Sequence, residues 1–251
     1  MLRLLGTFPR AAWVLLLATA HVLHGWGTIV FRFPRLDPAQ RAQRVQEWAR
    51  KMLAVLGIRL EVIGQAPTQG PLLLVANHIS WLDILVIHAA GHCRFVSKSD
   101  VRHWPVIGTL ATGAGTLYIE RESRRDALRV VHHMAESLKG GDIVAVFPEG
   151  TTTDGATILP FHANLLQAAV SSGAPAQPVG LRYLDVGTGQ DSTVPSYVGD
   201  DSLVGSLWRT VMGPRFSARL GYGAAQQAQG RDRRAWAADL HDAVAALRAG
   251  A

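Results

Sequence analysis

The chain of 251 residues is long enough for one sizeable domain with a substantial hydrophobic core. Its formal net charge of +6 favours an anionic partner, yet the sequence has no zinc-finger spacing, ribonucleoprotein motif or dense basic stripe. We therefore expect a membrane surface or a phosphorylated substrate rather than nucleic acid, in keeping with a chain that is 48% hydrophobic and 18% charged. Cys93 is the one cysteine, which excludes an intramolecular disulfide.

The first predicted element is an apolar segment at residues 11–31 that contains no Lys, Arg, Asp or Glu. Its length is close to the ~20 residues that a membrane-spanning helix needs. A cleaved signal peptide fits poorly, because the segment is long and an arginine-rich stretch follows it at once. His21 and Gly25 weaken its second half, so a helical hairpin that dips into one leaflet remains an alternative to a spanning helix.

Arginines flank this segment more heavily on its C-terminal side, which predicts that the rest of the chain faces the cytoplasm from the inner membrane. We expect residues 1–35 to form the membrane anchor and residues 36–251 to form one catalytic domain.

Helices and strands are predicted to alternate along that domain. Asp37 is a plausible N-cap of a helix that Gly57 ends, and residues 184–206 are predicted to form a long loop. The other predicted helices lie at 80–90, 123–141, 164–173 and 231–249, and the predicted strands lie at 59–64, 71–77, 93–98, 115–121, 142–150, 175–184 and 217–223. This order predicts an α/β fold with a mixed, largely parallel sheet flanked by helices.

The stretch "ANHISWLD" follows a predicted central strand and contains a histidine and an aspartate five residues apart. On one regular helix these side chains would point about 140° apart. They can meet if His78 lies in the turn before the helix and Asp83 in its first turns, with Ser80 as a possible N-cap. A carboxylate beside an imidazole fixes its tautomer and stabilises the imidazolium, so His78 is a candidate general base.

Two later stretches also place polar residues at predicted strand ends. In "GTLYIER", Arg121 could offer a planar donor fork to a phosphate, or simply extend from an edge strand. In "VFPEGTTTDG", Glu149 could accept hydrogen bonds from polyol hydroxyls, or belong to an ordinary turn. His88 and His92 have the i, i+4 spacing of zinc ligands, but no third ligand is near in sequence, so we do not predict a metal site.

The order "NHISWLD", "GTLYIER", "FPEGT" and "APAQPVGLRY" resembles the four blocks of the glycerolipid acyltransferase family, the 1-acylglycerol-3-phosphate acyltransferases. The resemblance covers roughly residues 70–185, and "KSDVRHWPVIG" is similar to the family's linker between the first two blocks. It implies O-acyl transfer from an acyl thioester of coenzyme A or acyl carrier protein to a lysophospholipid at the membrane, without a metal or bound cofactor.

The resemblance also assigns roles to residues. It implies that His78 deprotonates the acceptor hydroxyl and that Asp83 orients it. It implies that the acceptor is bound with the help of Gly115, Arg121, Pro148, Glu149, Gly150 and Thr151, and that the fourth-block proline is Pro178, with Pro175 close by.

Departures from the family pattern concern positive charge. Thr152 and Thr153 stand where the third block often has Arg and Ser, and His162 replaces a basic residue usual after "PF". The reaction that the resemblance most directly implies is acylation of 1-acyl-sn-glycerol-3-phosphate to phosphatidic acid. The loss of charge keeps lyso-ornithine lipid, which has no phosphate, as an alternative acceptor. An inactive lipid-binding homologue and a lipid hydrolase are further alternatives; the latter lacks a G-x-S-x-G elbow.

Overall fold

A computed structural model describes residues 2–119 and 124–250 of the chain, and the side chains of residues 8–119 and 128–250. Seven strands form one sheet in the order β1-β7-β6-β2-β5-β3-β4, in which β6 and β7 are antiparallel and the other pairs are parallel. This confirms the predicted mixed, largely parallel sheet. The strands are β1 (Arg59–Ile63), β2 (Leu72–Ala76), β3 (Arg94–Lys98), β4 (Leu117–Ile119), β5 (Ile143–Val146), β6 (Ala176–Asp185) and β7 (Phe216–Tyr222).

Helices cover both faces of the sheet. They are α1 (Leu2–Phe31), α2 (Pro38–Leu56), α3 (Leu82–Ala90), α4 (Ile107–Gly113), α5 (Arg124–Lys139), α6 (Gln167–Ser172), α7 (Leu203–Met212) and α8 (Arg233–Gly250), with two 3-10 turns, η1 (Phe33–Arg35) and η2 (Ser99–His103). The predicted ends of α2 are confirmed: the Asp37 carboxylate accepts the Gln40 N–H at 2.8 Å, and Gly57 ends the helix at a φ of 73°.

The central strand β2 is buried on both sides, which explains its unbroken apolar sequence. Leu74 and Ala76 belong to the hydrophobic core that α2 and α3 cover, whereas Leu73 and Val75 belong to the core covered by α5, α6 and α8. Because side chains alternate across a strand, β2 joins the two cores and holds its carboxyl end at a fixed place between them.

The apolar N-terminal segment forms one uninterrupted helix, so the hairpin alternative is not found. Residues Phe8–Phe31 are, within the part of the chain that is described, the one helix long and apolar enough to cross a membrane by length and composition. The helix is nevertheless docked on the domain. The His21 ring stacks on Trp48 of α2 at 5.1 Å, and the Trp48 indole N–H donates to the His21 carbonyl at 3.0 Å. Gly25 permits this approach, since a side chain there would collide with the Trp48 ring.

Several predicted helix boundaries are wrong. The N-cap of α3 is Trp81 rather than Ser80, although Ser80 still accepts the Leu82 N–H with its hydroxyl at 3.3 Å and the Asp83 N–H with its carbonyl at 3.1 Å. The helix predicted at 164–173 begins only at Gln167.

Helices α4 and α7 were not predicted. The loop predicted at 184–206 contains the end of β6 and the start of α7, whose N-cap Ser202 accepts the Gly205 N–H at 3.0 Å. Strand β4 occupies the middle of the segment predicted at 115–121, and the last two residues of that segment lie outside the described ranges.

A buried histidine in α3 gives the fold a dependence on pH. The His88 side chain is 5% exposed, and burial, with a smaller contribution from His92, lowers its pKa to about 3. Between pH 6.5 and 3 the unfolded chain therefore binds a proton that the folded chain does not, so stability falls as the pH is lowered through this window. At pH 5 the loss reaches about 2 kcal/mol.

We expect His88→Met to remove this loss, which urea unfolding in neutral detergent at pH 7.5 and pH 5.0 would measure. His103→Gln, which changes an exposed histidine, should keep the wild-type difference between the two pH values. Identical pH dependence in wild type and His88→Met would contradict the assignment.

Candidate active site

The candidate active site begins where β2 ends at Ala76. The next residue, Asn77, is buried, and its side chain pairs with the backbone of Leu181 in β6: the amide nitrogen donates to the Leu181 carbonyl at 3.1 Å, and the amide oxygen accepts the Leu181 N–H at 2.8 Å. This side chain continues the pairing of β2 with β6 by one residue, so His78 leaves the sheet from an anchored position.

His78 and Asp83 converge as the sequence predicted, with His78 in the turn and Asp83 in the first turn of α3. The Nδ1–H of His78 donates to Oδ2 of Asp83 at 2.7 Å. The Asp83 side chain is fully buried, whereas the His78 side chain is 19% exposed. Since Nδ1 carries the proton toward the carboxylate, Nε2 is the nitrogen that can accept a proton from a substrate.

The Asp83 carboxylate is held by three further donors. Its Oδ2 also accepts the N–H groups of Ile79 at 2.7 Å and Ser80 at 2.9 Å. Its Oδ1 accepts the hydroxyl of Tyr183 in β6 at 2.7 Å. Burial, and then the nearby carboxylate, raise the pKa of Tyr183 well above its ordinary value, so the phenol keeps its proton and remains a donor. Sequence reasoning missed Tyr183, because it lies 100 residues away along the chain.

Glu149 joins the catalytic turn to the loop after β5. Its Oε1 accepts the backbone N–H of His78 at 2.7 Å, and its Oε2 accepts the backbone N–H of Leu159 at 2.7 Å. Burial raises the pKa of this carboxyl, although the two backbone donors oppose the shift. The Thr153 N–H, which donates to the His78 carbonyl at 2.9 Å, adds a second connection between loop and turn. Glu149 thus orders the backbone around His78.

An aromatic ring covers one face of the His78 imidazole. The Phe147 ring lies parallel to it, with 3.9 Å between centroids and 6° between planes, and Phe95 continues the stack at 5.7 Å. An aromatic face attracts a cation, so Phe147 is placed to stabilise positive charge on the His78 ring. The sequence offered no signal for this contact beyond the apolar residue before "PEG".

We expect Phe147→Leu to lower kcat by about 3- to 10-fold and to leave KM nearly unchanged, because the cation forms only during the reaction. Phe147→Tyr keeps an aromatic face and should retain most of the wild-type kcat. Steady-state kinetics of the two variants would measure the difference. Equal kcat values for the leucine and tyrosine variants would contradict this role.

The remaining third-block residues shape the loop. The Pro148 carbonyl accepts the His162 N–H at 2.8 Å, and Gly150 adopts a φ of 75°, where a side chain would press against the His162 ring. Thr151 is exposed, and the hydroxyl of Thr152 donates to the Tyr197 carbonyl. His162 therefore lies beside the third block, where the family usually has a basic residue.

The structure does not bring every predicted residue to the catalytic pair. The Gly115 carbonyl accepts the Nε–H of Arg94, the first residue of β3, at 2.8 Å. Gly115 therefore lies at the amino ends of the parallel strands, whereas His78 follows the carboxyl end of β2. Pro178 lies inside β6 at the level of Val75, and its carbonyl accepts the Gly223 N–H at 3.0 Å. Arg121 lies outside the described residues.

In an α/β fold, an imidazole that a buried carboxylate orients at the carboxyl end of a strand is the arrangement expected of an enzyme with a general base. The family model described as Acyltransferase matches residues 58–182. The chain is 38% identical to a lyso-ornithine lipid O-acyltransferase of Pseudomonas aeruginosa, over 88% of this chain and 85% of that one. It is also 38% identical to a 1-acyl-sn-glycerol-3-phosphate acyltransferase of Neisseria meningitidis, over 84% of this chain and 82% of that one.

The chain therefore belongs to the acyltransferase family and is an O-acyltransferase. Its fold is similar to the crystal structure of the 1-acyl-sn-glycerophosphate acyltransferase PlsC from Thermotoga maritima, with a TM-score of 0.71 and 20% identity over 98% of this chain and 97% of that one.

Proposed function

We propose that this enzyme transfers a fatty acyl group from an acyl thioester of coenzyme A or acyl carrier protein to the free hydroxyl of a lysophospholipid, with 1-acyl-sn-glycerol-3-phosphate as acceptor and phosphatidic acid as product. The observation that carries the proposal is the short hydrogen bond from His78 to buried Asp83, which leaves Nε2 of a partly exposed imidazole as the base.

In the proposed reaction, Nε2 of His78 takes the proton of the acceptor hydroxyl as that oxygen attacks the thioester carbon. The tetrahedral oxyanion then collapses, the C–S bond breaks, and the leaving thiolate takes the proton from the imidazolium. The acyl group passes directly to the acceptor, without an acyl-enzyme. Asp83 stabilises the imidazolium between the two proton transfers.

A second acceptor, lyso-ornithine lipid, has its own support. The relative named for that activity is as similar to this chain as the one named for 1-acyl-sn-glycerol-3-phosphate. The residues beside the third block favour it as well, because Thr152, Thr153 and His162 supply no permanent positive charge for a phosphate.

We further propose that the enzyme acts at the inner membrane, with its active site facing the cytoplasm. The outer surface of α1 supports this, since it exposes large apolar side chains such as Trp13 and Leu16. Phe8 contacts Trp208 of α7 near the start of α1, and His21 contacts Trp48 farther along. These contacts favour a helix that lies along residues 36–251 in one leaflet over one that crosses the bilayer.

The test is a membrane fraction incubated with labelled acyl-coenzyme A or acyl-(acyl carrier protein), and with either lysophosphatidic acid or lyso-ornithine lipid. We expect labelled phosphatidic acid, and none from the His78→Ala variant. If product forms only from lyso-ornithine lipid, then lyso-ornithine lipid, and not 1-acyl-sn-glycerol-3-phosphate, is the acceptor. Release of free fatty acid without either product would identify a hydrolase, and no turnover of any donor would identify an inactive lipid-binding protein.

A further inference from the structure

A cleft away from His78 lies between the end of α1, the start of α2 and α4. It encloses about 480 Å³, which is within the ~300–1,000 Å³ range of ligand pockets. Its lining residues include Arg41 and Arg102, the hydroxyl residues Thr109 and Thr112, and the apolar residues Ile29 and Phe33. None of its lining residues belongs to the turn that carries His78 or to the loop that carries Glu149.

The two arginines are held in place by contacts that leave their charge uncompensated. The Nε–H of Arg41 donates to the Phe33 carbonyl at 3.0 Å, and the Arg102 guanidinium lies 5.9 Å above the Tyr118 ring. The Tyr118 hydroxyl is in turn hydrogen-bonded to Thr112 at 2.9 Å. Across the described ranges, neither arginine forms an ion pair with a carboxylate. An open cleft with two such arginines and the Thr109 hydroxyl suits a phosphate group.

The close fit between α4 and η2 shows that the position of Arg102 is built into the fold. Gly108 packs so tightly beneath the Arg102 carbonyl that a side chain at this position would collide with it. Between them, Val106 adopts a φ of 62°, a conformation that costs free energy for a β-branched residue. The tight turn between η2 and α4 thus fixes the backbone of Arg102, which lines the cleft together with Ile29 at the end of α1.

The apolar part of the cleft distinguishes a lipid from a soluble phosphate. Ile29 and Phe33 form one wall, and Phe31 on the adjoining turn of α1 is 63% exposed. Trp104, two residues after Arg102 in the chain, is 42% exposed, in keeping with the preference of indole rings for the headgroup level of a bilayer. A ligand that fits both parts has a phosphate for the arginines and acyl chains for the exposed surface of α1.

We propose that this cleft binds the phosphate headgroup of a bilayer phospholipid, at a site separate from the catalytic pair. The site goes beyond the proposed function, since its occupant is a membrane lipid that is not consumed. Its occupation would fix the end of α1 and the start of α2 at the headgroup level.

The full chain in neutral detergent, titrated with phosphatidylglycerol in mixed micelles, would test the proposal through the shift of its thermal unfolding midpoint. We expect Arg41→Gln/Arg102→Gln to bind this lipid at least about tenfold more weakly than Arg44→Gln/Arg59→Gln, because each lost guanidinium removes charge-assisted hydrogen bonds. The control pair removes the same two charges from exposed positions outside the cleft. No acyl donor or lysolipid is present, so failure of this binding leaves the proposed acyl transfer standing.

A second variant, Thr109→Glu, keeps both arginines and places a carboxylate in the cleft, and it should weaken binding similarly. Equal affinities of the two double variants would overturn the proposal, as would unimpaired binding by Thr109→Glu. Inorganic phosphate at the same concentration should give a much smaller shift. An equal shift would overturn the lipid assignment in favour of a site for free phosphate.

Discussion

Replacing His78 with alanine is expected to lower kcat by about 10²- to 10⁴-fold, the usual contribution of a positioned general base. Nε2 of His78 is the proposed proton acceptor, and the thioester reacts slowly with a hydroxyl that keeps its proton. The fold should survive the change, because Asp83 keeps its hydrogen bonds from the Ile79 and Ser80 N–H groups and from the Tyr183 hydroxyl. Single-turnover rates at saturating acceptor would measure the effect.

His162→Ala is the matched control, since it removes another imidazole next to the same loop without touching Asp83. It should affect KM for the acceptor more than it affects kcat. A rate for His78→Ala within tenfold of wild type would contradict the assignment of the base.

Asp83→Asn is expected to leave the structure nearly intact and still lower kcat by about 10²-fold or more. The asparagine oxygen can occupy the Oδ2 position and accept from Ile79 and Ser80, while its NH₂ group donates to the Tyr183 oxygen. The negative charge that stabilises the His78 imidazolium is lost. Comparison of kcat with the thermal unfolding midpoint would separate the electrostatic effect from a structural one.

Two further variants sharpen this result. Tyr183→Phe keeps the carboxylate charge and removes one donor, so it should cost far less activity than Asp83→Asn. The double variant His78→Ala/Asp83→Asn should be little slower than His78→Ala alone, since the two side chains act as a unit. Additive losses in the double variant would show that Asp83 acts independently of His78.

The sequence was sufficient to predict the central strands β2 and β5 because each combines an apolar run with a clear stop. Strand β2, buried on both faces, has an unbroken apolar sequence, and β5 likewise ends in a proline-containing turn. Short helices were harder to predict: α4 has seven residues and no side-chain cap, and the N-cap of α7, Ser202, lies in a segment whose composition resembles a loop. Such elements form because the fold around them provides a surface to cover, a contribution that local patterns do not contain.

The catalytic pair was accessible from the sequence because its residues are close together in the chain and their helical phase restricts where they can meet. Its supports come from remote segments. Tyr183 reaches Asp83 from β6, Glu149 reaches His78 from the loop after β5, and Asn77 is fixed by Leu181. The spacing of residues along the chain does not reveal these contacts, since they depend on which strands are neighbours in the sheet.

The contact between Tyr183 and Asp83 also sets an order for the biogenesis of the enzyme. A chain emerging from the ribosome exposes its apolar helix α1 first and the "ANHISWLD" turn soon afterwards, but β6 is synthesised about a hundred residues later than that turn. The Asn77 anchor and the fourth donor to the carboxylate both come from β6. On the proposed function, the nascent chain could therefore associate with a bilayer before β6 completes the contacts of Asp83, and delivery to the membrane would precede the onset of catalysis.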